Sequence, residues 1–311
     1  MDKPYFIMSL DTELLWGPDT IEMFNFIKKR GKEARQNIDI LLNLFERFEI
    51  PATWAIVGHL FLEDCCKKTC LTEINKKKYN FRRDWYIDPH TNLKEDPLFY
   101  GKDLIQKILS STIRHEIGYH SFSHPIFSEI PRKMAEDEIK EAKKIEREWN
   151  IQFKSFVFPS NKIAHVDILK ENGFLIYRGK TGIYGSNDNL FIKKFKGGID
   201  KFISSPVEPK WIDGIWEIKG STYFCDPQIP RSLLVRCNLG LNRAIRNKKI
   251  FHIWLHPWSL LLYKKLEEDL GKFLKQVSEK KQKNELDVIT MGELAEHMNL
   301  LRHEKMKDAK K

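Results

Sequence analysis

Three short stretches of this 311-residue chain carry side chains that can do chemistry together. Asp11-Thr12-Glu13 places two carboxylates two residues apart. His120-Ser121-Phe122-Ser123-His124 places two imidazoles four apart, and Leu255-His256-Pro257-Trp258 adds a third histidine. Taken singly, each has an ordinary explanation. An Asp after a strand commonly forms a turn or caps a helix, and a lone histidine before proline is more often structural than reactive. Taken together, two neutral imidazoles and one carboxylate can hold a divalent metal and leave positions for water and substrate. Such a metal polarises an acyl oxygen and lowers the pKa of bound water towards neutrality. A second carboxylate then takes the water's proton, and a histidine opposite protonates the leaving amine.

This chemistry requires elements that bring residues 11–13, 120–124 and 256 to one place. Short runs rich in aromatic and β-branched residues predict strands at Tyr5–Leu10, Ala52–Val57, Glu116–Tyr119, Ser155–Phe158, Phe174–Tyr177, Ile215–Ile218, Ile250–Leu255 and Asp287–Thr290. Between them, apolar residues at helical spacing predict helices over about Thr20–Phe48, Asp103–Ser110, Arg132–Trp149, Val166–Asn172, Ser232–Asn247, Leu260–Lys283 and Met291–Leu301. Strands alternating with helices predict a mainly parallel sheet with right-handed crossovers. The number of units predicts an α/β fold, a distorted (β/α) barrel of about seven strands. An open doubly wound sheet is the alternative. In a parallel barrel, reactive groups gather at the C-terminal ends of the strands, and the three stretches follow the first, third and seventh predicted strands. No linker rich in Gly, Ser or Pro splits the chain, so residues 1–311 read as one domain.

On these residues the sequence resembles the polysaccharide deacetylases with the NodB homology domain (carbohydrate esterase family 4), over about residues 5–300. Ser9-Leu10-Asp11-Thr12-Glu13 stands where that family closes strand one with an Asp pair. His120 to His124, followed by Pro125, matches its His-Ser/Thr-x-x-His motif in full. Ser155 to Pro159 with the Val166–Phe174 segment looks like the third motif and its helix, Leu255-His256 matches the end-of-barrel Leu-His, and Asp287–Met298 looks like the last strand and helix. The resemblance implies a NodB-like barrel and a hydrolase that removes the N-acetyl group of an amino sugar in a glycan or glycan precursor. It implies Asp11 as base, His256 as acid, and Glu13, His120 and His124 as ligands of a divalent metal, zinc or another first-row ion.

The departures from the family pattern fall on the base. The commonest first motif has adjacent aspartates, whereas here Thr12 intervenes and Glu13 follows. The Arg that orients the base in the third motif is replaced by Val157, and Arg178 after the fifth predicted strand is the candidate substitute. A non-catalytic carbohydrate-binding relative that keeps the barrel is the alternative function. His59 after strand two, Pro159 in the third motif, Trp216 in strand six and Arg178 are the candidate substrate-binding residues; the resemblance sets Trp216 where an aromatic ring packs under the catalytic histidine.

Composition narrows the remaining classes. Hydrophobic residues make up 41% and charged residues 31%, which suits a globular protein. The net charge of +10 invites a nucleic-acid reading, but the lysines are scattered and often sit beside glutamates. No zinc finger, RNA-recognition signature or compact basic stripe is present. No stretch approaches about 18 apolar residues, and the short apolar run after Met1 is too brief for a secretory signal; a cytoplasmic location is the expectation. Of the five cysteines, Cys65-Cys66-x3-Cys70 has the look of half a metal site without a second half, and surface thiols are expected there. The polar, aromatic-studded stretch Cys65–Phe99 reads as an inserted loop. Its Arg82, Arg83, Trp85, Tyr86 and His90 would lie over the barrel mouth and hold a phosphate-linked glycan precursor. His303–Lys311 reads as a frayed basic tail.

Overall fold

Tyr5–Thr12 (β1) is buried along its whole length, as a parallel strand covered on both faces must be. The computed structural model describes residues 3–79, 88–181, 204–225, 230–263 and 265–308. Around β1, the strands Thr53–Ile56 (β2), Glu116–Tyr119 (β3), Ser155–Val157 (β4), Ile176–Gly179 (β5), Lys210–Ile212 (β6), Ile215–Lys219 (β7), Thr222–Tyr223 (β8), Ile250–Leu255 (β9) and Asp287–Val288 (β10) form one sheet. Their order is β6-β7-β5-β4-β3-β2-β1-β9-β8, with β10 paired to β1. Among the described strands only β6 with β7 is antiparallel. β7 lies on one flank of the sheet and β8 on the other, yet only Gly220 and Ser221 separate them. The sheet therefore curls into a distorted half-barrel, and the open doubly wound alternative is excluded.

Helices Ile21–Lys29 (α1), Gly31–Phe48 (α2), Leu71–Tyr79 (α3), Lys102–Leu109 (α4), Arg132–Trp149 (α5), Val166–Glu171 (α6), Pro230–Arg246 (α7), Leu266–Gln282 (α8) and Met291–Asp308 (α9) accompany the sheet. α2 buries Ala34, Asn37, Ile38, Leu41, Leu42 and Phe45, a stripe at three- and four-residue spacing that faces the core. α5 ends on Asn150 in the left-handed conformation (φ 51°), where Asn is one of the few side chains tolerated.

Several expectations need correction. The helical stretch Thr20–Phe48 is two helices, because the chain leaves helical geometry at Arg30 (φ −111°, ψ 33°). The insertion contains α3, which packs on α5 through Asn75 and Glu138 (3.1 Å), so it is not a structureless loop. Arg82, Arg83, Trp85 and Tyr86 lie outside the described residues. Cys65 and Cys70 are buried rather than surface thiols. His303–Asp308 continue α9 and are not frayed. β5 sits two residues later than expected, which places Arg178 inside the strand. β6 and β8 are three and two residues long, too short to leave a period in the sequence.

Alternation along the strands layers the barrel interior. Near its start, Tyr5 and Ile7 pack with Ile176, Trp216, Ile218, Ile250, Met291 and Leu294 into an apolar plug. Further along the same faces come Ser9 and Asp11 from β1, Arg178 from β5, and His252 from β9. The polar layer thus rests on an apolar floor.

Two imidazoles, the half-buried His115 and the buried His252, make stability acid-sensitive. Burial holds His115 down to about 4, and burial with the Arg178 guanidinium holds His252 down to about 3. Between pH 6.5 and 4 the unfolded chain binds protons that folded His115 refuses, so stability present above 6.5 is lost as pH falls. Each such group contributes a slope of about 1.4 kcal/mol per pH unit. His115→Phe keeps a ring against Phe45 and Trp54 but takes no proton. Urea unfolding between pH 6 and 4.5 should show that slope reduced by about 1.4 kcal/mol per pH unit relative to wild type. The lost acceptor for the Ala52 N–H lowers stability equally at every pH. Equal slopes would show that His115 titrates as a free imidazole.

Candidate functional site

Strand parity delivers the first carboxylates. Asp11 lies within β1 and Glu13 follows its end, and both point to the same side, 3% exposed. A short 3-10 turn, Leu14–Trp16, carries the chain away, and Gly17 then passes so close that a Cβ there would fall 1.7 Å from Glu13 Oε2. Only glycine fits at that approach.

The two histidines of the second stretch arrive on a strained loop after β3. Ser121 (φ 60°) and His124 (φ 59°) occupy the left-handed region, which non-glycine residues seldom adopt. Glu138 on α5 holds the loop. Its Oε2 accepts the N–H groups of Phe122 (2.9 Å) and Ser123 (2.8 Å), and its Oε1 accepts the Ser123 hydroxyl (2.6 Å). Burial raises the Glu138 carboxyl to about 7 despite these donors. The loop turns both imidazoles onto Glu13. His120 Nε2 lies 2.8 Å and His124 Nε2 3.1 Å from Glu13 Oε1, and the two Nε2 atoms are 3.2 Å apart. His120 Nδ1–H donates to the Val157 carbonyl (2.6 Å), which leaves its Nε2 lone pair facing Glu13.

β5 and β9 complete the site. Arg178, fully buried, forks both oxygens of Asp11 at 2.5 Å, and it also donates to Ser9 Oγ and Asn161 Oδ1 at 3.2 Å. Its guanidinium lies 4.2 Å over the Trp254 ring. His256 Nε2 is 3.5 Å from Glu13 Oε2 and 3.9 Å from Asp11 Oδ2. Its ring stacks on Trp258 (4.2 Å between centroids), and its Nδ1 lies 3.2 Å from the Tyr223 hydroxyl, which meets Ser259 Oγ at 2.9 Å.

Electrostatics follow from this geometry. Burial alone would raise Asp11, but the Arg178 charge and its hydrogen bonds outweigh it and hold the carboxyl below its ordinary value. Burial likewise opposes Glu13, and His256, His124 and His120 hold it well down. Burial lowers His256, while Glu13 and Asp11 draw it up, with a net rise. A cleft of about 300 Å³ opens onto this cluster, lined among others by Asp11, Glu13, His124, Asn161, Trp254 and His256. Among the described residues, Glu13, His120 and His124 form one group able to hold a metal, and Asp11, Glu13 and His256 form an overlapping one.

The remaining expected residues lie elsewhere. Trp216 packs in the apolar floor with Tyr5 and Ile7 and donates to Asn299 (2.9 Å), so the ring beneath His256 is Trp258 instead. His59 is fully buried between Trp16 and Tyr100, turned to Asp88 rather than to the cleft. Pro159 is buried and starts the turn that presents Ser160 and Asn161 to the cleft. Arg178 holds Asp11 and does not line the cleft. Glu138, Tyr223, Trp254 and Asn161 were missed. Glu138 left a signal, a carboxylate on the apolar stripe of α5; Tyr223 left none, because β8 was not foreseen.

Residues 30–174 match the polysaccharide deacetylase family model. No curated protein matches the chain. Among solved structures, a Mycobacterium smegmatis protein assigned to the polysaccharide deacetylases is 14% identical, with TM-score 0.63, over 97% of this chain and 92% of its own. A 4-alpha-glucanotransferase from Thermococcus litoralis is 14% identical with TM-score 0.52, over 94% of this chain and 40% of its own. A CE4 family pseudoenzyme from Bacillus anthracis is 14% identical with TM-score 0.48, over 94% of this chain and 66% of its own. At such identities the structures speak to fold alone. The sequence match over residues 30–174 takes in β2, β3, the His120–His124 loop and α5, so this part of the chain is similar to the polysaccharide deacetylases.

Proposed function

We propose that this protein is a metal-dependent hydrolase that removes the N-acetyl group from an amino sugar. The observation that carries the reading is the convergence of Glu13, His120 and His124 with Asp11 and His256 at one cleft. The donor set fits a divalent ion: a carboxylate and two imidazole Nε2 atoms face one another, and Glu13 Oε2 is buried without a hydrogen bond. Such an ion, when bound, polarises an acyl oxygen and acidifies a water. Asp11, ionised beside Arg178, is placed to take the proton of the attacking water. His256 is placed to give one to the departing amine, with Tyr223 and Ser259 accepting in turn behind its Nδ1. Trp254 and Trp258, each 8% exposed, line the cleft through the small part of each ring left uncovered.

The alternative, a carbohydrate-binding relative without chemistry, draws on Val157 at the family's Arg position. Against it stands Arg178, which reaches Asp11 from the neighbouring strand. Metal content and acetate release from N-acetylated oligosaccharides test the proposal. The protein as purified should release acetate, lose that activity on chelation and regain it with a divalent ion. His120→Ala should lose the metal from this cleft. Tight binding of the sugar with no acetate released by metal-loaded protein would support the binding relative instead.

A further inference from the structure

A second group of metal-binding side chains lies apart from the cleft. His59, Cys65, Cys70 and Asp88 present one donor atom each, all within 4.8 Å of one another. They are 0%, 8%, 6% and 6% exposed. His59 comes from the turn after β2, the cysteines from the start of the insertion, and Asp88 from its return. The cysteine pair therefore finds its missing second half in His59, which precedes it, and in Asp88, 18 residues beyond Cys70.

The distances have the scale of a coordination shell. Asp88 Oδ2 lies 3.3 Å from His59 Nε2, 3.3 Å from Cys70 Sγ and 3.9 Å from Cys65 Sγ. A tetrahedron built on ordinary zinc bond lengths separates its donors by about 3.3–3.8 Å. The outer contacts also suit a metal. His59 Nδ1–H donates to the Phe99 carbonyl (3.1 Å), which turns the Nε2 lone pair inward, and Nε2 makes no hydrogen bond. Asp88 Oδ1 is held by the His90 N–H (2.9 Å), and Trp16, Tyr100 and Phe122 wall the imidazole off from water.

Hydrogen bonding alone leaves this arrangement poorly satisfied. Asp88 Oδ2 would serve the Thr72 hydroxyl (2.6 Å) and both thiols, three donors for the two lone pairs of one oxygen, while the His59 Nε2 lone pair faces it at 3.3 Å with no proton between them. A cation at the centre reverses the demand, since each group then supplies an electron pair.

We propose that His59, Cys65, Cys70 and Asp88 form a closed, four-coordinate structural site for a zinc ion that staples the insertion to the end of β2. Two thiolates and an imidazole with no position left for water select a zinc-like ion and exclude catalysis at this site. The site adjoins Trp16 and Phe122, neighbours of Glu13 and His120, so filling it steadies the wall of the cleft without touching substrate.

Cobalt substitution tests the site without relying on activity. Cobalt-loaded wild type and His120→Ala should both show the thiolate-to-cobalt charge-transfer band and the intense visible bands of tetrahedral cobalt. Cys65→Ser/Cys70→Ser should lose the charge-transfer band and one metal equivalent, while keeping the metal held by Glu13, His120 and His124. No thiolate band in cobalt-loaded wild type would overturn the proposal, as would a Cys65–Cys70 disulfide in the purified protein. Loss of acetate release with the band intact would count against the deacetylase reading alone.

Discussion

Asp11→Asn should lower turnover by about 10²–10⁴-fold, the usual loss when a general base is removed, while the metal content of the cleft stays at the wild-type level. The substitution keeps the shape of the side chain and removes its capacity to take a proton. Glu13, His120 and His124 remain to hold the ion, because Asp11 is engaged by Arg178 rather than by the imidazoles. The fold does not escape the change. Arg178 is left buried without an ionic partner, and breaking such a pair costs about 3–5 kcal/mol. Activity should therefore be compared below the lowered melting temperature. If Asp11→Asn loses the metal and Glu13→Gln keeps it, the roles of the two carboxylates are exchanged.

The parts of the site that were legible in sequence lie at the ends of well-formed strands. Asp11, Glu13, His120 and His256 follow runs whose composition announces buried parallel strands, and the barrel rule brings those ends together. Arg178 was legible only as a candidate, because β5 was expected two residues early and the Arg then fell beyond the strand. Its placement depends on register: Val157 pairs with Arg178 across β4 and β5, so the charge missing from one strand is supplied by its neighbour. Trp216 was misplaced for a related reason. Parity along β7 fixes which face a residue takes but not its depth, and Trp216 pairs with Ile176 in the floor, one layer below Arg178. His59 and the cysteines were unreadable as a group, since Asp88, the fourth member, lies 18 residues beyond Cys70 across an insertion with no period of its own. The signal that Glu138 left, an acid on the apolar stripe of α5, becomes decisive only once that stripe is known to be buried, because the helix carries many other acids.

Removing the other half of the ion pair should be comparably damaging and should carry a different signature. Arg178→Met leaves the Asp11 carboxylate in a buried site with its main counter-charge gone. Burial then acts with less opposition, and the Asp11 carboxyl rises from its depressed value. The sign is fixed: a base that is harder to ionise needs higher pH, so the acid limb of kcat/KM should move upward in pH. Unfolding stability should fall by about 3–5 kcal/mol. Arg178→Lys should recover part of the pH shift, because the charge returns, but not all of the turnover, because an ammonium cannot fork both carboxylate oxygens. The double variant Asp11→Asn/Arg178→Met separates pairing from packing. With neither charge buried, it should be destabilised by clearly less than the sum of the single losses. Strict additivity, or an acid limb unmoved in Arg178→Met, would mean that Arg178 fills space in the barrel and does not set the charge of Asp11.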